Sequence, residues 1–142
     1  MNTSTMRLMI ATAALAVVAG TASAQTLKAE IPMSFRANGK LMPPGSYEVR
    51  EDAGHVYIQV RHIDSRRSAL LGTELKSDAP KTWREGGNPM LSFVCAGESC
   101  TLTRLWNGND SFTYNFRAPK PPATDLDAQQ TRVVTLAMIR IH

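Results

Sequence analysis

The chain has 142 residues, 16 Lys and Arg against 12 Asp and Glu, a net charge of +4 and 43% hydrophobic residues. That length holds one domain with a modest core. The basic residues are interleaved with acids, and the one local cluster, Arg61, Arg66 and Arg67, has Asp64 inside it. It reads as a solvated strand end rather than the basic, aromatic-lined stripe of a nucleic-acid binder.

Residues 1–24 have the build of an export signal. Arg7 gives a positive start, Leu8 to Gly20 is a nearly unbroken apolar run, and Ala22-Ser23-Ala24 is a small-residue site for cleavage between Ala24 and Gln25. The thirteen apolar residues fall short of the ~20 that a helical membrane anchor needs. Gln25 offers no thiol for lipidation, and no second run of membrane length follows. The expected product is residues 25–142, one soluble β-domain in the periplasm or outside the cell, with one positive charge fewer after the loss of Arg7.

Apolar Ala29, Ile31, Met33, Phe35 and Ala37 alternate with Glu30, Pro32, Ser34 and Arg36, the two-residue period of a half-buried strand. Asn38-Gly39 suits a turn with positive φ, and Pro43-Pro44-Gly45 a second turn. Tyr47 and Val49 resume the alternation. The residues Ile31, Pro32, Phe35, Gly39, Lys40, Pro43, Gly45, Tyr47 and Val49, with Met42 in place of a leucine, resemble a group of small, uncharacterised exported bacterial proteins. Their shared pattern is I/V-P-x-x-F-x-x-x-G-K-x-L-P-x-G-x-Y-x-V. The resemblance implies an exported β-domain and carries over no activity, cofactor or site residue.

Glu51 to Gly54 is a polar turn, after which Val56, Ile58 and Val60 form the apolar row of another strand, with His62 on the same row. Ser65-Arg66-Arg67 turns the chain into Ala69–Leu75, where Gly72 marks a bulge or a close backbone approach. Lys76 to Pro89 is polar, irregular and expected to be an exposed loop, with Trp83 its one large aromatic. Met90–Cys95 and Cys100–Trp106 read as a hairpin around Ala-Gly-Glu-Ser. Asn107-Gly108-Asn109-Asp110 turns into Phe112, Tyr114 and Phe116, three aromatics on one face. Residues 118–130 are a Pro-rich connector, with Thr124 and Asp127 suggesting one capped helical turn. Arg132–Ile141 is apolar on both faces, which suits a central strand or one that pairs back on the first. The expectation is an all-β fold of about eight antiparallel strands, forming a small barrel or a sandwich.

Cys95 and Cys100 fall opposite one another if the hairpin pairs in register, which favours a disulfide. A redox pair usually reads C-x-x-C beside a helix, and zinc would need two further ligands, so neither a cofactor nor a metal is expected. Positions 55 and 62 differ by an odd number, so in one strand His55 and His62 would face opposite ways. His62 reads as a partly buried, hydrogen-bonded side chain, and His142 as a mobile end. None of the familiar hydrolase, metalloprotease or phosphate-binding motifs is present.

The chain therefore reads as a non-catalytic binding or envelope-associated module with a protein partner. Trp83 is the candidate contact residue, unless it is anchored in the core. The alternative is a carrier of a small apolar ligand, with Phe112, Tyr114 and Phe116 lining a cavity instead of packing it. An extracytoplasmic hydrolase ranks third.

Overall fold

The computed structural model describes residues 25–117 and 131–141. The expected signal segment up to Ala24, the connector 118–130 and His142 lie outside the described residues. The strands are β1 (Thr26–Ile31), β2 (Phe35–Ala37), β3 (Lys40–Met42), β4 (Gly45–Glu51), β5 (Tyr57–His62), β6 (Ser68–Gly72) and β7 (Leu75–Asp78). After a short helix α1 (Lys81–Gly86) come β8 (Met90–Ala96), β9 (Ser99–Trp106), β10 (Phe112–Asn115), β11 (Thr131–Ala137) and β12 (Ile139–Ile141).

These strands form two sheets. The first runs β12-β1-β4-β5-β6 and is antiparallel throughout. The second runs β11-β8-β9-β10-β7, with β2 parallel to the start of β9 and β3 outside β2. Their inward rows merge into a single apolar core. Phe35 joins the two layers, edge-on to Tyr47 of the first sheet at 5.2 Å and to Phe93 of the second at 5.4 Å. Each such pair contributes about 0.5–1.5 kcal/mol beyond its burial. The architecture is a sandwich and not a closed barrel.

Among the described residues twelve short strands stand where about eight were expected, because several apolar runs change sheets midway. The run Ala29–Ala37 breaks at Pro32–Ser34, so that Ala29 and Ile31 fill the first sheet's inner row and Phe35 and Ala37 the second's. All four are no more than 2% exposed. Proline has no N–H to give to a ladder, which makes Pro32 a natural point of departure. A similar crossing follows β6, where Gly72 ends the strand and β7 joins the other sheet.

The last run is cut at Met138, whose N–H donates to the Pro89 carbonyl at 2.8 Å. Its two parts edge one sheet each, β11 beside β8 and β12 beside β1. The pairing of the last strand with the first is thus present. The reading as a central strand is overturned, since Val133 is 65% and Ile139 67% exposed.

The stretch Lys76–Pro89 also needs correction, because it holds β7 and α1. Its strand escaped notice because β7 is an edge exposed on both faces, so no alternating pattern arises. The β8–β9 hairpin is tighter than expected. Ala96 pairs with Ser99, which leaves Gly97-Glu98 as a two-residue turn.

The motif from Ile31 to Val49 is accounted for by these contacts. Ile31, Phe35, Met42 and Val49 are core residues. Asn38 and Gly39 have φ of 50° and 76°, the positive values that a two-residue type I′ turn requires. The Lys40 ammonium donates to the Ser68 carbonyl at 2.8 Å and the Asn38 amide to the Leu70 carbonyl at 3.1 Å, which covers the outer edge of β6. The Tyr47 hydroxyl donates to the Pro43 carbonyl four residues upstream, as in a tyrosine corner. Gly45 has φ of 144°, and a Cβ there would sit 2.5 Å from His62 Nε2.

Candidate functional site

Trp83 projects from α1, a helix without a single buried residue. Its half-buried ring lies 5.1 Å from the guanidinium carbon of Arg104 on β9. Arg104 pairs with Ser92 of β8 and Asn115 of β10, while its neighbour Leu105 belongs to the core. Alternation therefore puts Arg104, and the indole stacked on it, on the outer face of the second sheet. A cation over an indole gains about 0.5–1 kcal/mol at an exposed site. Trp83 is neither a core anchor nor a free side chain. No pattern in the sequence links positions 83 and 104.

Phe112, Tyr114 and Phe116 do share one face, and that face is the core side. Tyr114 is 1% exposed, and Phe112 and Phe116 are half-buried against the same cluster. Phe112 meets Tyr114 edge-on at 5.3 Å, and the Lys76 ammonium lies 4.9 Å from the Phe112 ring centre. Phe116 borders a cleft with a volume of about 440 Å³, whose lining includes neither Phe112 nor Tyr114. Asn38, Leu71, Glu74 and Arg117 line other parts of it, so the cleft is polar where a carrier of an apolar ligand would be greasy.

Cys95 and Cys100 are directly opposed and joined, with Cα atoms 4.0 Å apart. His62 is buried, with Nδ1 accepting the Ser65 N–H at 3.0 Å and its ring 5.1 Å from that of Tyr47. It is a buried histidine tied through Nδ1 to the turn that follows β5. Burial pushes the Tyr47 phenol up to about 12, against the opposing charge of Arg67.

A cluster that sequence reading missed centres on Glu51, at the end of β4. One carboxylate oxygen accepts from His55 Nδ1 at 2.6 Å and from the Tyr114 hydroxyl. The other accepts from the Asn107 amide at 3.4 Å. Asn107 also donates to the Asp110 carboxylate at 2.7 Å, and its own carbonyl holds the N–H groups of Asn109 and Asp110. Burial first, then the bond to Glu51, holds the Tyr114 phenol well above its ordinary range. The bond to Glu51 and its charge raise the imidazole of His55 above its ordinary value.

The available signal was parity, because Glu51 follows Tyr47 and Val49 on the inward row. Reading Glu51-Asp52 as a polar turn hid it. Chemically the cluster is an oriented imidazole with its carboxylate partner, but among the described residues no hydroxyl or thiol is bonded to that ring. Nor does any group of three His, Cys, Asp or Glu among the described residues have a metal-holding arrangement.

No protein-family model matches the chain, and neither the curated proteins nor the solved structures offer a match.

Proposed function

We propose that this is an exported, non-catalytic binding module whose contact surface is α1 with Trp83. The observation that carries the reading is a helix that buries none of its residues in the core yet holds an indole against Arg104 on an outer sheet face. A segment with so little role in the sandwich is free to serve recognition, and aromatic and Arg side chains are the usual anchors of an interface. The Cys95–Cys100 bridge supports export, since disulfides persist in oxidising compartments. The test is affinity capture from the envelope fraction of the native host with wild-type protein and Trp83→Ala. Loss of a specific partner at unchanged melting temperature supports the reading. Equal capture by both proteins rejects it.

The cleft beside Phe116 favours a second reading, a small-ligand carrier. Its ligand would be polar, given Asn38, Glu74 and Arg117. A ligand that raises the melting temperature with concentration and loses this effect in Arg117→Ala would move the assignment to the carrier.

A further inference from the structure

We propose that the Glu51 cluster is a pH-sensitive latch between the two sheets, whose grip is set by the charge on His55. The inference is independent of the Trp83 surface. Glu51 ends a strand of the first sheet, Tyr114 belongs to the second, and Asn107 sits in the turn between β9 and β10. One carboxylate thus ties both layers and two turns together at one end of the sandwich. Apolar packing between sheets is non-directional, so a polar tie of this kind fixes how that end closes.

His55 is held in an unfavourable conformation, with φ of 55°. Its N–H donates to the Asp52 carbonyl at 3.0 Å, its carbonyl accepts from the Thr73 hydroxyl, and its ring binds Glu51. The Glu51 bond is the one that changes with pH. Glu51 and Asp52 face the imidazole from its own turn and Asp110 from the β9–β10 turn, all three favouring its charged form. Tyr114 meets the same carboxylate oxygen, and the ammonium of Lys76 lies 5.7 Å from the Tyr114 ring centre. A charge-assisted bond is stronger than a neutral one. His55 is raised in the folded state, so its contribution is full below the ordinary value of 6.5 and is lost as pH rises through the raised value. The latch is tight while His55 is charged against the Glu51 carboxylate and slackens as pH rises through the raised value of the imidazole.

The experiment uses the oxidised chain and follows the His55 imidazole and the backbone amides by NMR across that titration. After correction for intrinsic exchange, the amides of Val56 in the His55 turn and of Asn109 and Asp110, held by the Asn107 carbonyl across the tie, should exchange about two- to fivefold faster once His55 is neutral. In His55→Asn, which keeps the left-handed conformation accessible, the same amides should show no such step. Glu51→Gln should move the His55 titration down toward its ordinary value, with Asp52 and Asp110 keeping part of the upward pull. A flat exchange profile in the wild type, or a step that survives in His55→Asn, overturns the latch. Should Glu51→Gln fail to fold, His55→Asn decides alone.

Discussion

Gly45→Ala tests whether the motif is a packing device. A Cβ at this position would lie 2.5 Å from His62 Nε2 and 3.1 Å from Cδ2. The ring has little freedom to retreat, because Ser65 holds its Nδ1 and Tyr47 packs against it. Overpacking of this kind costs about 1–3 kcal/mol. The φ of 144° adds a strained backbone for any L-residue, about 1–3 kcal/mol more. A total of about 2–6 kcal/mol is a large share of the ~5–15 kcal/mol that holds a domain together. Thermal melting should drop by about 8–24 °C, at roughly 4 °C per kcal/mol for this size.

The partner variant His62→Ala separates the two costs. It destabilises by itself, since the Ser65 N–H loses its acceptor, but it empties the space that the added methyl group would need. The double variant should therefore cost at least about 1 kcal/mol less than the two singles added together. Additivity within about 0.5 kcal/mol would show that the ring does not set the cost, and would refute the packing account.

Thiol counting on the unfolded, unreduced chain should find neither Cys95 nor Cys100 free, and the double Ser variant should lose about 2 kcal/mol by denaturant melts, as a short loop implies. Two titratable thiols would contradict the hairpin pairing. In a spectrophotometric alkaline titration Tyr47 should ionise near 12 rather than at its ordinary 10.0. Because that value is raised on folding, stability should fall as pH climbs from 10.0 toward 12. Tyr47→Phe should flatten part of that fall and cost about 1–2 kcal/mol at neutral pH, by leaving the Pro43 carbonyl without its donor.

What the sequence showed was local and periodic. The alternation at Ala29–Ala37 identified the right inward residues even though the strand breaks, because a three-residue crossing preserves parity. The opposed cysteines and the Asn38-Gly39 turn were legible for the same reason, since their geometry is set by near neighbours. Periodicity cannot say which sheet a strand joins. Among the described residues the chain changes layers at Pro32, Pro43-Pro44, Gly72 and Met138, and the prolines and the glycine mark a break without naming the sheet that follows, while Met138 carries no chemical cue.

The Arg132–Ile141 run shows the opposite failure. Apolar residues on both faces suggested burial, yet β11 and β12 are edges with Val133 and Ile139 exposed. The candidate sites depended on contacts far apart in sequence, Trp83 with Arg104 and Glu51 with Tyr114. Such pairs leave no spacing signature.

The distinction between a bare interaction module and a carrier comes down to what the native protein holds. Native mass spectrometry of material purified gently from its own host reads this directly. The expected mass is that of residues 25–142 less two hydrogens for the Cys95–Cys100 bridge, alone or with a protein partner. A small molecule that stays bound and leaves only on activation would contradict the interaction-module reading.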